Sequence, residues 1–160
     1  MDAPLQTEEE QSHTPKLARQ ALSFLVHSGL ALLAWVVLMA IGYLVNPTGV
    51  PQAVILGLSF AVPLAAGLIV TKFRGGEMAT AVWLLGLIWF LIIALWILDM
   101  PTGPNQCFQC GATEKLTRTL FSFPYPSGLI DNDGPFFGTW PAAALVGYAI
   151  GASIGLRRRS

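Results

Sequence analysis

Residues 21–45 read ALSFLVHSGLALLAWVVLMAIGYLV. No Asp, Glu, Lys or Arg interrupts these 25 residues. As a helix rising 1.5 Å per residue, the run extends about 37 Å, enough to cross a hydrocarbon core of roughly 30 Å with some tilt. A soluble domain has no use for such a run, so this stretch decides the class.

Three more runs follow. Residues 50–70 carry no charge and are interrupted by Pro63. In a membrane helix, neighbouring helices satisfy the carbonyl that a proline leaves free, so a kink is expected there and not a break. Residues 78–98 are rich in Trp, Leu and Ile, and residues 138–156 are built from small side chains. The whole chain of 160 residues is 54% hydrophobic and 11% charged, with mean hydropathy +0.60. Soluble domains carry about 25% charged residues, so the deficit supports a polytopic membrane protein. No basic patch points to nucleic acid.

The expected fold is all-α: a four-transmembrane-helix bundle with helices at about 20–45, 50–70, 78–98 and 138–156. Residues 1–16 are polar, contain Glu8-Glu9-Glu10 and lack the basic start of a signal peptide. They read as a disordered tail, leaving residues 17–160 as one membrane domain. Basic residues near span ends set the orientation. Lys16, Arg19, Lys72, Arg74, Arg157, Arg158 and Arg159 fall on one side of a four-span chain, whereas Lys115 and Arg118 lie in the loop on the other. Both termini are therefore expected to be cytoplasmic, in a bacterial cytoplasmic (inner) membrane. One long extracytoplasmic loop, 101–137, joins helices three and four.

That loop holds the only two cysteines, in Cys107-Phe-Gln-Cys110. Three chemistries fit the pair. It can be a disulfide staple in an oxidising compartment. It can be a redox dithiol, whose thiolate a helix N-terminus or nearby positive charge would favour. It can also contribute half of a tetrahedral metal site shared in a dimer, since two cysteines alone do not complete one. A short helix from about 113 to 123 would place Leu116, Thr119, Leu120 and Phe123 on one face, against the membrane surface. The proline- and aromatic-rich segment from Phe121 to Trp140 reads as rigid turns on that surface. A loop this long is more than a connector, and docking a partner is its simplest use.

Four spans with an external CxxC resemble the quinone-linked thiol oxidases of membranes and the vitamin K epoxide reductases. The resemblance covers architecture and this one motif. It implies catalysis at Cys107 and Cys110. Those families pass electrons between two cysteine pairs, and in the second the motif opens the fourth span. This chain has one pair, about 30 residues before its fourth span, so the shuttle step has no second dithiol.

Two intramembrane features complete the reading. Ala143, Gly147, Gly151 and Gly155 recur every four residues and so share one helix face. Such a ridge lets two backbones approach closely, which holds helices together in lipid. It serves either as a seam inside the bundle or as a contact with a second copy or partner subunit. His27 is the one ionisable group inside a run. It is expected to bond a backbone carbonyl, Ser23 or Ser28. No cofactor is predicted; the alternative use of His27 is as a single axial ligand to a haem or pigment. Trp96 and Trp140 suit the outer aromatic belt.

The functional expectation is a small membrane scaffold or accessory subunit. It would lie in the lipid bilayer, present the CxxC loop and associate through the glycine-ridge helix. A thiol–disulfide oxidoreductase using Cys107 and Cys110 is the alternative. The absence of charged residues inside the runs argues against ion-coupled transport.

Overall fold

The structure, a computed structural model, describes residues 7–45, 50–99, 110–121 and 134–158. Those residues form six helices: α1 (Thr7–Val45), α2 (Gln52–Arg74), α3 (Val82–Asp99), α4 (Ala112–Leu120), α5 (Gly134–Phe137) and α6 (Thr139–Arg157). A 3-10 segment, Glu77–Ala81, leads into α3. Four helical stretches are long and apolar enough to cross a membrane: Lys16–Val45, Gln52–Arg74, Met78–Asp99 and Pro135–Arg157. The protein is thus an integral membrane protein with four candidate spans.

α1 differs from expectation at its start. It begins at Thr7, so much of the polar segment read as a tail is helical. α2 passes through Pro63 as one unbroken helix.

α6 is the hub. Its apolar window is 67% buried within the protein, against 22%, 17% and 17% for the other three spans. The reason lies in its side chains. Gly, Ala and Ser occupy much of α6, so α2, α3 and α1 all come close to it. α2 packs on it most extensively. The two helices run parallel: Gly147 lies over Phe60, Gly151 over Leu64 and Gly155 over Leu68. α1 and α3 run the opposite way. His27 of α1 meets Tyr148, and Trp35 packs near Trp140. Gly86 of α3 meets Ala142 and Leu145.

These directions gather Lys16, Arg19, Lys72, Arg74, Arg157 and Arg158 at one end of the bundle, and α4 and α5 at the other. Trp89 reaches the level of α5, so the ten residues from Phe90 to Asp99 carry α3 about 15 Å past the start of α6. α4 fills part of that space. Its Lys115 lies beside Leu98 and the adjoining Phe121 beside Phe90, so it descends along α3 and does not lie flat across the end of the bundle.

Candidate functional site

Two regions carry the candidate chemistry. The first is the seam between α2 and α6 with the polar pair beside it. A Cβ at Gly147, Gly151 or Gly155 would overlap atoms of α2, the carbonyl oxygens of Phe60 and Leu64 for the first two and Thr71 Oγ1 for the third. Three carbonyl-bearing residues spaced by four, Phe60, Leu64 and Leu68, thus face three glycines spaced by four. At this approach Cα–H groups can bond carbonyls, a second-order gain that adds to close van der Waals packing. The fit is reciprocal, since a Cβ at Gly67 would overlap the carbonyl of Tyr148.

The α2 face is itself a stripe: Ser59, Pro63, Gly67 and Thr71, every fourth residue, are all buried. This stripe of small residues was open to the same spacing argument as the α6 ridge. The ridge is therefore a seam within one chain. Gly147, Gly151 and Gly155 lie under α2 and are not displayed to a second molecule. Ala143 is half-buried at the head of the row.

Thr71 locks the seam at its basic end. Its hydroxyl donates to the carbonyl of Gly67 at 2.7 Å and contacts that of Ala152 at 3.2 Å. The first partner lies on its own helix and the second on α6.

His27 is buried against α6 and the turn after α2. Its Nδ1 is 2.7 Å from the Tyr148 hydroxyl, with the two rings tilted at 50°. The expected partners were a carbonyl, Ser23 or Ser28. The actual one is a phenol 121 positions away, and Ser28 Oγ has no hydrogen-bond partner among the described residues. Nε2 faces Gly76, where a Cβ would overlap it. Gly76 has φ 141°, a conformation that strains any residue with a side chain, so glycine is required there twice over. Nδ1 is thus engaged by Tyr148, while the ring also lines a cleft of about 510 Å³ between α1 and α2. Tyr148 was missed in the sequence. The available signal was depth: His27 lies eight residues in from Arg19 and Tyr148 nine in from Arg157. Two polar rings at matched depth in apolar spans satisfy each other best.

The second region is the platform at the opposite end. α4 buries Thr119 and Leu120. Thr139 Oγ1 donates to the carbonyl of Leu120. Lys115 Nζ donates to the carbonyl of Leu98 at 3.2 Å, and the Phe90 and Phe121 rings are 6.3 Å apart. Glu114 and Arg118 pair at 2.6 Å along its outer side. Next to it, Trp89 Nε1 donates to the carbonyl of Phe137 at 2.7 Å. Trp35, Phe136, Phe137 and Trp140 form an aromatic cluster, with Phe136 5.2 Å from both Trp35 and Phe137. Trp140 is therefore core and not belt: it is buried, since α6 starts well below the end of α3. In the Gly134–Phe137 turn Pro135 is buried, whereas Phe136 and Phe137 remain exposed in part.

Cys110 stands immediately before Gly111, the residue that caps α4. Cys107 lies outside the described residues, as does Phe123 of the expected helix. The chain matches no protein-family model, no curated protein and no solved structure.

Proposed function

We propose that the protein is a small, non-enzymatic membrane scaffold or accessory subunit whose working surface is the CxxC loop. In this reading both termini are cytoplasmic and the loop is extracytoplasmic, with Cys107 and Cys110 joined as a staple. The observation that carries it is the way α4 is held. A connector needs no anchorage, yet Thr119 and Leu120 are buried, Leu120 offers its carbonyl to Thr139, and Lys115 bonds the end of α3. Ala112, Thr113, Glu114 and Thr117 are left on the exposed side as a polar ledge. Cys110 is not a free thiol, which agrees with a staple. Because the glycine ridge is engaged with α2, association falls to this ledge and to the lipid-facing sides of α1 and α3.

A second reading, thiol–disulfide oxidoreductase, is favoured by one feature: Cys110 adjoins the N-terminus of α4, where a thiolate is stabilised. A maleimide gel-shift titration of the cysteine pair in membranes separates the two. A staple stays oxidised below about −300 mV, whereas a redox-active pair titrates between roughly −120 and −270 mV. The scaffold reading expects the first result. A midpoint in the second range would replace it with the oxidoreductase.

A further inference from the structure

At the basic end of the bundle two clefts adjoin. One, of about 500 Å³, is lined by Lys16, Arg19, Gln20, Ser23 and Arg74, with Gly76 and Met78 beside them. The other, of about 510 Å³, runs between α1 and α2 along Val26, Leu30, Ile69 and Phe73, with the His27 ring in its wall. They share Ser23, Arg74 and Gly76, so they form one continuous groove, cationic at the mouth and apolar along its length.

The groove is written in helical spacing. Lys16, Arg19, Ser23, Val26 and Leu30 step by three or four residues and lie on one face of α1. That face turns from cationic to hydroxyl to aliphatic as it enters the span. On α2, Arg74 and Phe73 sit at the mouth and Ile69 lies deeper. No acid lines either cleft, and Lys16, Arg19 and Arg74 form no ion pair among the described residues. Like charges set side by side repel, and an anionic group placed among these three would relieve that repulsion. Two of them are guanidinium groups, whose planar forks match phosphate oxygens bidentately.

We propose that this groove binds one anionic glycerophospholipid. Its phosphate lies among Lys16, Arg19 and Arg74, and one acyl chain lies in the apolar cleft between α1 and α2. The apolar half of the groove gives a free phosphate nothing to bind, and the cationic mouth gives a zwitterionic lipid little advantage. Basic recesses between membrane helices are the places where anionic headgroups are recognised. Gly76 lines both clefts, and the Cβ it lacks would meet His27 Nε2.

Native mass spectrometry of the full chain in detergent, titrated with phosphatidylglycerol or phosphatidylcholine, tests this. The expected result is one tightly retained phosphatidylglycerol, bound about tenfold more strongly than phosphatidylcholine. The variant Lys16→Gln/Arg19→Gln/Arg74→Gln loses that preference. A control, Lys72→Gln/Arg158→Gln, removes basic residues at the same end that line neither cleft, and keeps it. Equal losses in both variants would reduce the effect to general charge attraction and overturn the site. So would equal binding of the two lipids. Displacement by millimolar inorganic phosphate would identify a free-anion site and overturn the lipid assignment. If the triple variant fails to purify, Phe73→Ala takes its place: Phe73 is 74% exposed, so its loss spares the fold while weakening lipid retention.

Discussion

The α2–α6 seam and the α4 platform hold helices together by opposite means. In the seam, side chains are nearly absent, and backbone lies on backbone through Gly67, Gly147, Gly151 and Gly155. At the platform, side chains reach across to backbone: Lys115 to Leu98, Thr139 to Leu120, Trp89 to Phe137. The contrast follows from the surroundings. Deep in the span, lipid competes equally well for apolar surface, so close packing must supply the attraction. Near the ends, the open backbone groups of helix termini need partners, and long polar side chains provide them.

The largest effect is expected from attacking the seam. Gly151→Leu drives a side chain into the Leu64 carbonyl and must part α2 from α6. Overpacking of soluble cores costs about 1–3 kcal/mol, and here the obstacle is backbone with no room to move. We expect a loss of at least about 3 kcal/mol, seen as a collapsed thermal midpoint in detergent. Gly42→Leu is the matched control, because a Cβ at Gly42 meets nothing. Equal loss in both variants would mean that helix propensity, and not the seam, sets stability.

This asymmetry also explains what was legible in the sequence. Span number and approximate bounds follow from apolar runs, because a bilayer imposes a length. The small-residue ridge follows from spacing, because helix geometry imposes a face. Spacing does not say which helix meets the face, so the glycine ridge fitted a seam inside the bundle or a contact with a second chain. The Tyr148 partner of His27 and the buried position of Trp140 depend on the vertical offset of helices. Offset is set by tertiary packing: α6 begins about 15 Å short of the end of α3, and no local pattern announces that. The platform was legible only as a short amphipathic helix. Its attachments use carbonyls, which every residue has and no sequence marks.

An intermediate effect is expected at the platform. Leu120 is 1% exposed and anchors α4. Leu120→Ala removes its apolar contact, at a cost of about 2 kcal/mol or more in a well-packed site. The cost should fall on the docking of α4 and not on the seam. Trypsin cleavage at Lys115 and Arg118 should accelerate about tenfold or more, with the thermal midpoint of the bundle nearly unchanged. Coincident loss of both would show that platform and seam form one cooperative unit, and the contrast between them would fail.

The smallest effect tests whether polar groups add to the seam at all. Thr71 is fully buried and contacts carbonyls on both α2 and α6. Thr71→Val keeps the shape and removes the hydroxyl. The carbonyl of Gly67 lies four residues before Thr71 within α2, so it already serves the helix ladder, and only the 3.2 Å contact to Ala152 crosses the seam. Interhelical hydrogen bonds in membranes average about 0.6 kcal/mol with a ceiling near 1.7. A loss of about 0.6 kcal/mol is therefore expected for Thr71→Val, measured by steric trapping or reversible unfolding in mixed micelles. A loss beyond about 2 kcal/mol would make the hydroxyl, and not the glycines, the principal lock. The seam would then resemble the platform, held by side chain on backbone, and the division of labour between the two regions would have to be redrawn.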